Sequence, residues 1–387
     1  LVVYSSTKSE DNDIEFSKRI KNRLGCFVVF VGPFISIDPV RILEKSNTIQ
    51  FAIKGEFEYP VLELIQGKPF KEIYNLCYKD NSQVIQNPSR PLLNTQQLDG
   101  IPFVSEFFYR HLNLRYYKTP SEYYPFIDIM TGRGCEWGLC TFCLWVHSFI
   151  PGAVYNKRTI GNVIEELKLI KSRMKKVRSV MIQDDTITQE RARELSEAIL
   201  GANLKITWSC YARANIDFEV LELMRKAGCR NLHVGYESAN PVLLKNIKKG
   251  ISVEKMTKFT QDAKKAGLHI HADFLMGLNG ETTESIKETI AWAKILDPDT
   301  AQFQLINTYP GTPLYDCLIK GGFLKGSEPN YPDLSNDKIR MLAKRAYREF
   351  YFSWRYARRV LRHPYERFFM RIDTMFKAIP AMFWRRW

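Results

Sequence analysis

The stretch TGRGCEWGLCTFCLW, residues 131–145, decides how the rest of the chain is interpreted. Within nine residues it holds three cysteines: Cys135, Cys140 and Cys143. Gly134 and Gly138 interrupt the stretch, so we predict a loop rather than a core segment. A disulfide framework does not suit a chain of 387 residues whose other five cysteines are scattered. The cysteine pattern therefore indicates a metal site in a reducing compartment.

The sequence on either side of this loop, residues 124–325, alternates short apolar strands with amphipathic helical segments. Six such units in a row predict a parallel sheet curled into a partial barrel. The predicted strands are residues 126–130, 177–183, 206–210, 231–237, 269–277 and 300–307. Ligands of such barrels bind at the carboxyl ends of the strands, and the unusual polar residues of this chain fall there.

Residues 1–67 show a β-α-β-α-β pattern with consecutive apolar residues in each strand, which predicts a doubly wound sheet buried on both faces. Gly32 and Gly55 follow two of these strands, where a doubly wound fold forms a ligand crevice. Residues 68–123 are rich in Pro, Asn and Tyr, and we predict a surface connector. Because the chain opens on a strand without an initiator Met, we expect that an N-terminal piece of the first domain is missing.

Residues 326–387 are predicted to form a basic, aromatic and helical C-terminal region. The chain has a net charge of +14, and residues 338–387 carry fourteen Lys and Arg against three acidic residues. Arg interleaved with Trp, Tyr and Phe suits an anionic membrane surface. Two alternatives are that the aromatic residues pack onto the barrel, or that the region binds RNA. We expect a cytoplasmic protein with peripheral contact at the inner membrane face, with no nucleic-acid partner and no membrane-spanning helix.

Two metal centres are compatible with the cysteine loop. Thiolates are the ligands of iron–sulfur clusters, and three protein ligands leave one iron of a four-iron cluster open for a cofactor. A closed zinc site needs a fourth ligand, which His147 could supply. Zinc would not explain the barrel that follows the loop, so the iron–sulfur interpretation is favoured.

The cysteine loop and the barrel together resemble the radical S-adenosylmethionine (SAM) superfamily, and nearly the whole chain resembles its members with a cobalamin-binding domain. The resemblance implies an α/β fold, with a partial (βα)6 radical SAM barrel preceded by a truncated, Rossmann-like cobalamin-binding domain and followed by the helical basic tail. It implies that Cys135, Cys140 and Cys143 hold a [4Fe–4S] cluster that reduces SAM to a 5′-deoxyadenosyl radical. Cobalamin and an electron donor such as flavodoxin or ferredoxin are implied as well. This chain has four residues between the first two cysteines, whereas the commonest spacing in the family is three.

The resemblance also implies which residues bind the cofactor. Phe142 matches the aromatic residue that lies against adenine, and the others match motifs at the strand ends. The implied set is Phe142, Asp184, Asp185, Ser209, Arg213, Gly235, Glu237, Ser238, Gly277 and Gly280. From the residues alone, one of the paired aspartates could instead cap the helix near Gln189. Either Glu237 or Ser238 could likewise be no more than a helix cap.

The segments ITWSCYARANI (206–216) and CRNLHVGYES (229–238) most resemble bacterial enzymes of hopanoid lipid biosynthesis. This resemblance implies C-methylation or rearrangement at an unactivated carbon of a lipid-like or isoprenoid-like substrate. The alternatives are the same chemistry on a soluble metabolite or peptide, and a non-catalytic metal-binding scaffold. His269 and His271 share one strand face; proton transfer by His271 is one role, but satisfied core histidines are favoured.

Overall fold

The computed structural model describes residues 1–81, 83–117, 119 and 121–362, which fold into two compact units. The N-terminal unit comprises residues 1–101, 134–156 and 309–316. The barrel unit comprises residues 102–133, 157–308 and the described residues from 317 on. Both units are discontinuous in sequence, and the cysteine loop belongs to the N-terminal unit. The boundaries at 67, 123 and 325 stay predictions.

The N-terminal unit contains a five-stranded sheet in the order β1-β2-β3-β4-β5. Its strands are β1 (Val2–Tyr4), β2 (Val29–Val31), β3 (Phe51–Ile53), β4 (Leu76–Asp80) and β5 (Gln83–Gln86). Its helices are α1 (Glu10–Leu24), α2 (Pro33–Ile37), α3 (Pro39–Lys45), α4 (Glu58–Ile65) and α5 (Thr95–Asp99). The first three strands are parallel, and every residue of β2 and β3 is buried, as the apolar runs predict.

The segment predicted as a connector contains two strands that the sequence analysis missed. Strand β4 pairs antiparallel with β3, and β5 pairs antiparallel with β4. Leu76 and Cys77 are the two buried residues of β4, so the apolar signal is too short to stand out among the surrounding polar residues.

The barrel unit is built on a six-stranded parallel sheet whose strands follow one another in chain order. These strands are β6 (Phe126–Ile129), β9 (Ser179–Ile187), β10 (Trp208–Ala212), β11 (Cys229–Glu237), β12 (His269–Met276) and β13 (Thr300–Leu305). The helices are α6 (Val104–His111), α7 (Ile160–Arg173), α8 (Gln189–Gly201), α9 (Phe218–Lys226), α10 (Pro241–Asn246), α11 (Val253–Lys265) and α12 (Thr283–Leu296). This order confirms the predicted partial barrel.

Two short pairs of strands lie outside the main sheets, β7 (Gly132–Cys135) with β8 (Val154–Lys157), and β14 (Leu324–Lys325) with β15 (Glu328–Pro329). The remaining helices are α13 (Pro313–Lys320), α14 (Asn336–Tyr351) and α15 (Trp354–Arg362).

Helix α14 packs on the barrel through its aromatic residues. The Tyr347 ring lies 5.5 Å from the Phe303 ring, and Tyr351 Oη exchanges hydrogen bonds with both backbone groups of Ala301, at 3.0 and 2.8 Å. The packing alternative is thus observed for α14, while Trp354 of α15 is 76% exposed. The rest of the predicted basic tail, 363–387, lies outside the described residues. Within the described part, no helix combines the length and apolarity needed to cross a bilayer.

Candidate functional site

The three cysteines of the motif lie at partly exposed positions in the N-terminal unit, and none of the eight cysteines forms a disulfide. Strand β7 ends at Cys135, and the backbone N–H of Cys143 donates to the carbonyl of Cys140 at 3.2 Å. Gly138, within the longer spacer, adopts a left-handed φ of 60°. A Cβ there would lie 2.4 Å from the backbone of Ala153, so the loop depends on glycine at this position.

The donor set of this loop fits an iron–sulfur cluster better than a closed zinc site. The His147 ring, the candidate fourth zinc ligand, lies with Nε2 3.1 Å from the carbonyl oxygen of Cys140. Among the residues that the structure describes, no group of three or more His, Cys, Asp or Glu side chains is gathered at metal-binding distance. The fit rests on ligand type: the loop offers three partly exposed thiols, and thiolates are the ligands of iron–sulfur clusters.

A row of aromatic side chains lines the carboxyl end of the N-terminal sheet. Neighbouring ring centroids are 6.4 Å apart for Tyr4 and Phe57, 6.5 Å for Phe57 and Phe149, and 5.4 Å for Phe149 and Trp145. Tyr4 and Trp145, at the two ends, are 52% and 39% exposed. The row gives this edge an apolar surface of the kind that suits a large planar ring.

Two glycines at the same edge keep the backbone open. Gly32 has a φ of 120° and Gly55 a φ of 64°, and a Cβ on Gly32 would lie 3.1 Å from the carbonyl oxygen of Ser5. Glycine is therefore required at the edge where a doubly wound fold forms its ligand crevice.

Asp184 of the barrel unit is fully buried and holds Thr131. Its two carboxylate oxygens accept hydrogen bonds from the backbone N–H and the hydroxyl of Thr131, both at 2.6 Å. The buried Arg191 guanidinium donates to the Thr131 carbonyl at 3.2 Å. Helix α8 is capped by Thr188, so neither aspartate is its N-cap. Asp184 thus fixes the backbone at Thr131, four residues before Cys135. The next residue, Asp185, is half-buried.

Glu237, Arg213 and Gly235 come together at the carboxyl ends of β10 and β11 around Lys249. Glu237 Oε1 accepts a hydrogen bond from Lys249 Nζ at 2.7 Å, and both side chains are buried. The Arg213 guanidinium donates to the Lys249 carbonyl at 2.7 Å. A Cβ on Gly235 would lie 2.3 Å from Glu237 Oε1, so glycine makes room for this ion pair.

The pKa of Glu237 is raised by burial, and the nearby Lys249 ammonium opposes that rise. Its backbone φ of 63° is rare for a residue with a side chain.

Ser209 and Ser238 are fully buried hydroxyls with protein partners. Ser209 Oγ donates to the sulfur of Met181 at 3.0 Å, and Ser238 Oγ accepts from the backbone N–H of Asn240 at 3.1 Å. Helix α10 is capped by Asn240, so Ser238 is not its N-cap. Both serines hold backbone and side chains in place, and their cofactor contacts stay predictions.

The loop after β12 is shaped by two glycines and a buried acid. Gly277 and Gly280 have φ angles of 95° and 84°. Glu281 Oε2 accepts from the backbone N–H groups of Gly277 and of Leu278, the latter at 3.1 Å, and the Tyr331 hydroxyl donates to the Gly277 carbonyl at 3.0 Å. Burial raises the pKa of Glu281 to about 8.

Six of the predicted barrel residues lie at or just after the carboxyl ends of strands: Arg213, Gly235, Glu237, Ser238, Gly277 and Gly280. Asp184 and Asp185 instead lie inside β9, and Ser209 is the second residue of β10. Phe142 lies in the turn of the cysteine loop, between Cys140 and Cys143. The structure adds two residues that the sequence analysis did not single out as site residues, Lys249 and Glu281. The signals in the sequence are the two adjacent lysines of the segment 246–251 (NIKKGI) and the acid that follows Gly280.

Comparison with known proteins identifies the barrel. Residues 129–293 match the family model of the radical SAM superfamily. An uncharacterized methyltransferase of Pyrococcus horikoshii is 34% identical over 305 residues, which cover 77% of this chain and 64% of that protein. The cytidylyl-2-hydroxyethylphosphonate methyltransferase of Streptomyces wedmorensis is 25% identical over 293 residues, 67% of this chain and 54% of that protein.

Among solved structures, the radical S-adenosylmethionine methyltransferase TsrM of Kitasatospora setae matches with a TM-score of 0.67 at 20% identity, over 81% of this chain and 61% of that chain. TsrM has been solved with cobalamin and a [4Fe–4S] cluster bound. The present chain spans just over half to nearly two thirds of the length of these relatives. The chain thus contains a radical SAM domain and has the α/β fold of radical SAM enzymes.

Proposed function

We propose that this protein is a cobalamin-dependent radical SAM methyltransferase. The observation that carries the proposal is the order of the chain: the three-cysteine loop follows in sequence the first strand of a six-stranded parallel sheet. The radical SAM domain match supports it, and so do the methyltransferase names of both curated relatives. When bound, the cluster and SAM supply the electron transfer and the radical, and cobalamin supplies the methyl carrier.

In this proposal Cys135, Cys140 and Cys143 hold the cluster. Gly138 supports this role, because it lets the longer spacer turn back tightly against Ala153. Phe142, in the turn between the second and third cysteines, would contact the adenine.

At the strand ends, Arg213 and Glu237 would hold the polar groups of SAM. Charged donors and acceptors at fixed positions bind a zwitterionic amino acid group strongly. Lys249 would keep Glu237 ionised and oriented, because an isolated buried carboxylate would take up a proton. Gly277 and Gly280 would let the backbone approach the adenine, and Asp184 would position the start of the cysteine loop through Thr131.

Anaerobic reconstitution with iron and sulfide tests the proposal. We expect about four irons per chain, a brown protein, and cleavage of SAM to 5′-deoxyadenosine with a reductant such as flavodoxin. Replacing Cys135, Cys140 or Cys143 by Ala should abolish both iron binding and cleavage. The matched control is Cys26→Ala, which removes a half-buried thiol of the same unit outside the loop.

A colourless protein that binds one zinc would refute the proposal and support a metal-binding scaffold. Unchanged SAM cleavage in any of the three loop variants would also contradict it. Cobalamin binding is a separate measurement: the corrinoid absorbance retained after gel filtration should fall when Tyr4 and Trp145 are replaced by Ala.

Two substrate classes are candidates. A lipid-like or isoprenoid-like substrate, as in the hopanoid branch, is supported by the basic aromatic sequence of residues 338–387 and by exposed Trp354 and Leu361 of α15. A soluble metabolite is the alternative. Sedimentation with anionic liposomes, using the intact chain and a chain ending at residue 353, tests membrane contact; failure of the intact chain to bind would count against the lipid class.

A further inference from the structure

The inner face of the barrel sheet carries a band of polar side chains midway along the strands. Side chains alternate between the two faces of a strand. Tyr236, Phe274 and Phe303 stack successively on one face, with centroid distances of 5.8 and 5.1 Å. The residues that alternate with these three along β11, β12 and β13 therefore point to the other face, inside the barrel. The residues in register with them on the neighbouring strands point the same way. We call the following seven residues the inner band: Asp128, Gln183, Tyr211, His233, His271, Asp273 and Gln302.

The inner band is continuous across neighbouring strands. Tyr211, His233 and His271 are in register on β10, β11 and β12, with ring centroids 5.1 and 4.9 Å apart. His271 Nε2 lies 3.6 Å from Asp273 Oδ1, and the Gln183 amide donates to Asp128 Oδ1 at 3.0 Å. The barrel interior therefore presents hydrogen-bonding groups where an apolar ligand would need apolar walls.

Histidines aside, the ionisable acids of the inner band outnumber its bases. It contains two carboxylates, Asp128 and Asp273, and neither Lys nor Arg. Burial raises the pKa of Asp128, and the nearby carboxylate of Glu122 adds to that rise. His233 Nε2 lies 3.3 Å from Glu122 Oε1; burial lowers the pKa of His233, and the hydrogen bond to Glu122 opposes that shift.

A buried donor facing the same interior has no protein partner. Asn231 precedes His233 by two residues on β11 and so lies on the same face. It is 3% exposed, and its Nδ2 makes no hydrogen bond among the described residues. Buried amide groups are almost always paired, so this position calls for a polar group that the described residues do not provide.

We propose that the inner band recognises the substrate, and that this substrate is a small polar molecule bearing a positively charged amino or amidino group. Such a group would donate charge-assisted hydrogen bonds to Asp128 and Asp273. A lipid chain in the same place would cover both carboxylates without supplying donors, which is unfavourable. The inference rests on the proposed function only in naming the bound molecule as the substrate, and it selects the soluble class over the lipid class.

Ligand-observed NMR with four probes of one shape tests the charge preference. The probes are benzylamine, benzyl alcohol, benzoate and toluene, added to the purified intact chain before and after cluster reconstitution. We expect benzylamine to bind at least about tenfold more tightly than the other three, as expected when one charged hydrogen bond is lost. Equal or tighter binding of toluene or benzoate would overturn the proposal.

Two variants localise the binding. Asp273→Asn and Asp128→Asn preserve side-chain shape and should each weaken benzylamine binding by about tenfold to a hundredfold. The control Glu284→Gln removes an exposed carboxylate of helix α12 and should leave binding unchanged. If benzylamine binds both band variants as tightly as the parent protein, the site lies elsewhere and the proposal fails.

The two proposals fail separately. Iron content and SAM cleavage are measured on the same samples, so a protein that assembles its cluster but ignores benzylamine contradicts the inner-band proposal alone. A protein that binds benzylamine but assembles no cluster contradicts the proposed function alone.

Discussion

Replacing Glu281 by Gln should remove a large pH dependence from the unfolding free energy. Glu281 is 6% exposed; its Oε2 accepts two backbone hydrogen bonds, and its Oε1 has no hydrogen-bond partner among the described residues. A carboxylate in such surroundings favours its protonated form, and burial raises the pKa from 4.5 to about 8. Gln has the same shape and no ionisation.

The magnitude follows from linkage. Because the pKa is higher in the folded state, the folded protein holds the proton more tightly than the unfolded chain. The contribution of protonated Glu281 to the unfolding free energy is fully present below pH 4.5 and is lost as the pH rises through 8. The loss amounts to about 1.4 kcal/mol per pH unit and roughly 5 kcal/mol in total. Between pH 5.5 and 8 the parent protein should lose about 3 kcal/mol relative to Glu281→Gln.

Urea unfolding followed by circular dichroism at pH 5.5, 6.5, 7.5 and 8 measures this difference. The matched control is Glu284→Gln, three residues away on the same chain segment, with a side chain that is 74% exposed. The control should track the parent protein at every pH. If the difference between the parent protein and Glu281→Gln is the same at pH 5.5 and pH 8, Glu281 is ionised throughout and the argument from burial is wrong.

Three further changes test the site. Lys249→Met should cost about 3–5 kcal/mol of unfolding free energy, because it leaves Glu237 buried without its partner. Adding Glu237→Met should recover most of that loss. Urea unfolding measures both variants. Gly138→Ala should lower the iron bound per chain after reconstitution, since the new Cβ meets backbone atoms, whereas the open position Gly161→Ala should not. Asp184→Ala should cost about 1–3 kcal/mol for each of the two donors it leaves unpaired, measured by thermal unfolding.

The barrel could be predicted from sequence because its strands are short apolar runs separated by amphipathic helices. The six predicted strands agree with the structure to within a few residues at each end. The largest difference is β9, which was predicted to end at residue 183 and continues to Ile187. Asp184 and Asp185 lower strand propensity, but here Asp184 is held inside the strand by Thr131, a contact across 53 residues of sequence that no local pattern reveals.

The partners of the site residues could not be predicted either, because they are distant in sequence and no local pattern reveals them. Lys249 reaches Glu237 from the turn after α10, twelve residues later, and only the folded chain shows that it is buried there. The inner band was not predicted; the sequence analysis noted only that His269 and His271 share a strand face and favoured core histidines. His271 belongs to the inner band, whereas His269 pairs with Asp299 at 2.8 Å. Alternation along a strand separates its two faces, but only the folded sheet shows which face the aromatic residues Tyr236, Phe274 and Phe303 occupy and which face is left for the inner band.

Two buried acids of the barrel, Asp184 and Glu237, show how the structure separates positioning from binding. Asp184 is fully buried, and each of its two oxygens already accepts a hydrogen bond from Thr131. Glu237 receives one side-chain hydrogen bond, from Lys249, and sits at a positive φ that costs about 1–3 kcal/mol for a residue other than glycine. Such strain persists where the surrounding structure imposes it, and Gly235 leaves the space that this conformation requires. A conformation held at that energetic cost, with a carboxylate that has remaining acceptor capacity, favours Glu237 over Asp184 as the acid that binds the cofactor.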